Sequence, residues 1–113
     1  MKRPESKFAS QLTAQTARRL GGAIRAARLA RNATQASIAE RARMSALTLL
    51  KIERGDVSVA LGCWLAAMEQ VGLLPLLQDA ANPDADRTGS ALRREQARVR
   101  ARPSTAGPAE FDF

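Results

Sequence analysis

The chain has 113 residues, enough for one compact domain with flanking segments. Its 18 Lys and Arg against 11 Asp and Glu give a formal net charge of +7, which favours an anionic partner such as nucleic acid. It has no His, no Tyr and 1 Cys, which excludes imidazole acid–base chemistry, a Cys–His nucleophile and a zinc cluster, so an enzyme, a metal and a cofactor are not expected.

Three zones follow one another. Residues 1–15 form a polar arm, residues 16–81 carry the large aliphatic side chains and the lone Trp64 at helical spacing, and residues 82–113 form an Arg-rich segment too poor in apolar groups to order itself, expected as a flexible tail. The start of the chain, Met1 to Lys7, lacks an apolar signal core, and no run approaches the ~20 apolar residues of a membrane span. A cytoplasmic protein without a membrane partner is expected. Cys63 falls in an apolar stretch, where a free thiol packs as a small hydrophobe.

Leu20, Ile24 and Ala27 recur at i, i+4 and i+7, with Arg18, Arg19, Arg25 and Arg31 largely elsewhere on the wheel, so a first amphipathic helix ends near Asn32. Gly21-Gly22 weakens it locally. Thr34 is a good N-cap for a short second helix from Gln35 to about Ala42, with Ile38 and Ala39 facing the core. Ser45 caps a third, with Thr48 three residues on, Leu49 and Ile52 as its buried pair, and Arg54-Gly55-Asp56 as its stop. A fourth helix, about Val59 to Val71, presents Leu61, Leu65 and Met68 on one stripe with Trp64 beside them, and Gly72 ends it. Leu73-Leu74-Pro75-Leu76-Leu77 either extends a helix or forms a short strand. Pro75 points to an edge strand, which for want of a partner must pair with its copy in a second subunit.

The order Thr34-Gln35-Ala36-Ser37-Ile38-Ala39-Glu40-Arg41-Ala42, a short joint, then Ser45, Thr48-Leu49 and Ile52-Glu53-Arg54-Gly55 resembles the helix-turn-helix of the XRE family, the phage lambda repressor and Cro type. The resemblance covers residues from about 18 to 73 and implies an all-α bundle of four to five helices, with the short strand appended. The third helix then lies in the major groove of operator DNA. It further implies that Gln35 clamps a phosphate beside Thr34 and the helix N-terminus, and that Ser45, Ala46, Leu47, Thr48, Leu50 and Lys51 form the exposed recognition surface. Ala46, Leu47 and Leu50 offer only apolar contact, to a thymine methyl or to another protein surface, which leaves Thr48 and Lys51 for hydrogen bonds. Arg28 and Glu53 match the family's internal ion pair. Arg43 departs from the family, whose joint usually carries Gly. Either Arg43 adopts a left-handed conformation, at about 1 kcal/mol, or the turn bends differently. Its side chain can reach a phosphate or remain solvated.

Trp64-Leu65-Ala66-Ala67-Met68-Glu69-Gln70-Val71-Gly72-Leu73-Leu74 is similar to HipB-type antitoxins, which implies a homodimer joined through Leu73, Leu74, Leu76 and Leu77, autorepression, and neutralisation of a HipA-like Ser/Thr kinase toxin. In the tail, Arg87, Arg93, Arg94, Arg98, Arg100 and Arg102 suit nonspecific phosphate contact, whereas Phe111 and Phe113 at the polar tip suit a partner's pocket. Two further readings stand beside the antitoxin: a stand-alone XRE-type regulator, and a protein-interaction adaptor without DNA binding.

Overall fold

The computed structural model describes residues 9–102, and among these every regular element is helical. The order is α1 (Gln11–Ala30), α2 (Gln35–Arg41), α3 (Ala46–Glu53), α4 (Leu61–Gln70), α5 (Leu74–Ala80), a single 3-10 turn (Pro83–Ala85) and α6 (Arg87–Ala101). Contacts divide the chain into two units after Leu77.

Side-chain caps start the first three helices, whereas α4 starts after Ala60 without one. The Thr34 hydroxyl accepts from the Ser37 N–H and that of Ser45 from the Thr48 N–H, each at 3.0 Å, satisfying donors that a helix start leaves without an intrahelical partner. Ser10 does the same for α1 through the Thr13 N–H at 3.0 Å, so this helix begins well before the apolar periodicity at Leu20 that made residues 1–15 read as an arm. Left-handed residues end the first four helices: Asn32, Arg43, Gly55 and Gly72 all have positive φ. After α2 the Met44 N–H bonds to the Ala39 carbonyl at 2.9 Å and the Arg43 N–H to that of Glu40 at 3.1 Å, the paired bonds of a Schellman turn.

The core of the first unit joins Ile24 of α1, Ile38 and Ala39 of α2, Leu49 and Ile52 of α3, and Trp64, Ala67 and Met68 of α4 with Val71. Burial of each large member contributes about 1.5–3 kcal/mol. The element at the centre is α3, which touches α1, α2 and α4. The stripe of α4 is Trp64, Ala67, Met68 and Val71, at i, i+3, i+4 and i+7. Leu61, expected on that stripe, opens the helix and is 69% exposed, and Leu65 is half-buried, because the core side is centred on Trp64. Cys63 is a free thiol, half-buried against the core.

The chain after Gly72 corrects the strand expectation. Leu74–Ala80 is helix α5, with Pro75 in its first turn, where the missing N–H leaves no bond unmade. Leu73, Leu74 and Leu77 pack half-buried against the core and Leu76 is exposed, so this leucine run is a helix edge, not a strand to be shared with a second copy.

The Arg-rich segment, expected as a flexible tail, is also helical from Arg87 to Ala101. The Asp86 carboxylate caps α6 by accepting from the Gly89 N–H at 3.0 Å, and Arg93 donates back to the Pro83 carbonyl at 3.0 Å. Local capping and good helix formers such as Ala, Leu, Arg, Gln and Glu build this helix without a buried face. Phe111 and Phe113 lie outside the described residues. Among those described, no helix is long and apolar enough to cross a membrane.

Candidate nucleic-acid interface

Two short helices and their joint span Gln35 to Glu53 in the first unit. Ile38 and Ala39 bury one side of α2 while Leu49, Ile52 and Glu53 bury one side of α3, so the remaining sides are fixed outward. Ala46, Leu47 and Lys51 on α3, together with Ser45 and Arg43, are exposed. Leu47 is 59% exposed, large for an apolar side chain on a helix so firmly held. Thr48 and Leu50 are half-buried, and the Thr48 hydroxyl pairs with that of Ser45 at 2.9 Å, so part of its hydrogen-bonding capacity is used within the cap.

The joint takes the left-handed alternative. Arg43 has φ of 58° in the position where Gly55 and Gly72 carry the same conformation without a side-chain penalty. A β-carbon there stores about 1–2 kcal/mol. The side chain itself is exposed.

Beneath α2 and α3 lies a charged lock. Arg28 donates from Nε to Glu53 Oε2 at 2.7 Å and from its second amino group to Oε1 at 2.9 Å, a bidentate pair, and its remaining amino group bonds the Ala33 carbonyl at 2.9 Å. Gln35 adds a bond from Nε2 to Glu53 Oε1 at 3.0 Å. Arg28 and Glu53 are each only 7% exposed. One lock thus ties the end of α1 (Arg28), the start of α2 (Gln35) and the end of α3 (Glu53). The expected ion pair is present. Gln35, expected as a phosphate clamp, gives one of its two amide N–H donors to Glu53, and nothing in its position in the sequence signalled that third member.

Burial pushes the Glu53 carboxyl up, but the bonds from Arg28 and Gln35 and the charges of Arg28 and Arg25 outweigh it and hold the carboxyl below its ordinary value. The same bond raises Arg28 against the opposing pull of burial. Asp56, just past α3, is lowered by bonds from the Ser58 hydroxyl and N–H. A carboxyl lowered in the folded state stabilises fully above its unfolded pKa, and that contribution is lost as pH falls through the folded value. Thermal melting of wild type is therefore expected to lose stability as the pH falls below about 4, and Glu53→Gln to lose less over the same range. Parallel curves for the two proteins would mean that Glu53 is not held ionised by its partners.

Sequence reasoning also missed a hollow beside the start of α2. Arg31, Thr34, Ser37 and Arg41 line it, bringing two guanidinium-bearing side chains and two hydroxyls to one place. In the sequence Arg31 belongs simply to the polar side of the first helix. Its bond to the Ala27 carbonyl at 2.9 Å sets it at the helix end, beside the Thr34 cap. No protein-family model, curated protein or solved structure matches this chain.

Proposed function

We propose that the chain is a sequence-specific DNA-binding transcriptional regulator of the helix-turn-helix repressor type. In this reading α2 and α3 with the Arg43 turn form the motif and α3 enters the major groove, as the XRE resemblance implies. The observation that carries it is the outward face of α3. Ala46, Leu47 and Lys51 are exposed on a short helix whose other side is locked by Ile52 and by the Arg28–Glu53–Gln35 cluster, an expenditure of order on a surface with no buried role of its own. Thr34, Ser45 and Arg43 flank that face as phosphate contacts, Lys51 and Thr48 supply donors to base edges, and Leu47 meets a thymine methyl.

One observation bears on the choice between the regulator and the antitoxin. The leucines expected to join subunits as a strand form α5, so the shared strand that the HipB resemblance implied is not supported, while the Trp64–Leu74 stretch that carries the resemblance is untouched by this. This favours a stand-alone regulator over a neutraliser of a HipA-like kinase, and a kinase retained on the tagged protein would reverse that preference.

Binding of the chain to duplexes from its own upstream region tests the function. Lys51→Ala is expected to erode discrimination between sequences by roughly 1–3 kcal/mol. Arg43→Gly is expected to move two measurements in opposite directions. It relieves the left-handed strain and raises stability by about 1 kcal/mol, yet it weakens binding to every duplex through loss of a phosphate contact. Wild-type affinity and specificity in both variants would move the DNA-contacting face away from α3 and its turn, whereas absence of wild-type binding to any duplex would remove the DNA-binding reading and favour the adaptor.

A further inference from the structure

We propose that α6 is a second DNA-contacting element, a helix that lies along the phosphate backbone through one stripe of arginines, Arg87, Arg94 and Arg98. This rests on the reading that the chain binds duplex DNA and adds a surface to it.

Five arginines and one glutamate fall between Arg87 and Ala101, and they are not equivalent. With 3.6 residues per turn, positions i, i+7 and i+11 share one side of a helix, which groups Arg87, Arg94 and Arg98 within an arc of about 40° over roughly 16 Å of axis. Arg93 and Arg100 point elsewhere. Arg93 is already engaged, donating to the Pro83 carbonyl at 3.0 Å and to the Ser90 hydroxyl at 3.1 Å, where it fastens the 3-10 turn to the helix. The lone acid, Glu95, bonds Arg98, but that arginine side chain keeps 75% of its surface, so the pair remains open to an external anion.

Every residue from Ala91 to Arg102 is exposed, so no buried face accounts for this helix. Arginines at 94 and 98 are an i, i+4 pair of like charge and repel one another, and an isolated helix of this length is marginal in water. A polyanion removes the repulsion and rewards the helical spacing. Duplex DNA carries a charge for each ~1.7 Å of axis with both strands counted. A segment as long as the stripe, roughly 16 Å, therefore holds about ten phosphate charges around its circumference, more than enough for three arginines that meet one side of it. A membrane surface fits less well. The large apolar residues of α6 are Leu92 and Val99, too few for the broad apolar face with which interfacial helices enter lipid.

The test compares two charge-matched variants of the full chain. For binding to a duplex at increasing salt, R94Q/R98Q is expected to reduce the slope of log affinity against log salt by about 1.8, at about 0.9 per phosphate contact, and R93Q/R100Q to leave it near wild type. R94K/R98K is expected to retain the wild-type slope, and circular dichroism of wild type to show added helix on DNA that R94Q/R98Q does not gain. Equal slope losses in the two glutamine variants would overturn the stripe in favour of undirected charge. Failure of the lysine variant to keep the slope would overturn phosphate contact as the cause. Loss of binding to anionic phospholipid vesicles in R94Q/R98Q with an unchanged DNA slope would reassign α6 to membranes. Absence of wild-type binding to any duplex would overturn the regulator reading and this inference together, whereas sequence-specific binding indifferent to the stripe would overturn this inference alone.

Discussion

Glu53→Ala is expected to destabilise the first unit by about 3–5 kcal/mol, the range for breaking a buried pair and leaving one charge uncompensated. The figure applies without discount for solvent because the Glu53 side chain retains only 2% of its surface and that of Arg28 8%. Removal of the carboxylate leaves the guanidinium with the Ala33 carbonyl as its remaining partner and releases the Gln35 amide as well. At roughly 4–8 °C per kcal/mol for a domain of this size, the melting temperature should fall by about 12–40 °C, and since total stability is about 0.05–0.15 kcal/mol per residue the variant borders on unfolding. Replacing Arg28 and Glu53 together by apolar residues of similar volume should restore most of the loss, because the penalty lies in the stranded charge. A melting temperature within a few degrees of wild type for Glu53→Ala would show that the lock contributes position and not stability.

The elements most visible in the sequence are those with a local cause. Thr34 and Ser45 announce helix starts and Gly55 and Gly72 announce stops, since each acts on backbone groups within a few residues. The Arg28–Glu53 pair spans 25 residues, and only the family resemblance pointed to it. The leucine run at 73–77 misled because a short apolar stretch has no period of its own, and Pro75 suits the first turn of a helix as well as a strand edge. In α6 the composition signalled disorder while Asp86, Gly89 and Arg93 supplied a cap that composition does not register. Of the interface, the exposed residues of α3 follow from the positions of Leu49 and Ile52, but the Arg31–Arg41 hollow depends on how α1 and α2 meet, and nothing within either segment encodes that.

The adjacent glycines of α1 are expected to respond in opposite directions to the same substitution. Both read in the sequence as weak points of a helix, and by that measure alone Ala at either should gain about 0.5–1 kcal/mol. At Gly22 nothing lies within 4 Å of an added β-carbon, so the gain should appear in full. At Gly21 the β-carbon would stand 2.2 Å from the Ile52 carbonyl oxygen and 3.0 Å from both the Glu53 carbonyl oxygen and the Gly55 nitrogen. All three are main-chain atoms, so no side chain can turn aside, and relief requires α1 and the end of α3 to part. Gly55 guards the same contact from the opposite side, a β-carbon there falling 2.5 Å from the Arg18 α-carbon. Overpacking in a core commonly costs about 1–3 kcal/mol, and a clash against fixed backbone should reach the top of that range even after the propensity gain. Separation would also draw Ile52 from the core and pull Glu53 off Arg28, so Gly21→Ala should shift α3 and weaken DNA binding while Gly22→Ala leaves it intact. Thermal melting of the two variants decides the matter, and equal stabilisation of both would mean that α1 and α3 do not meet backbone to backbone at Gly21.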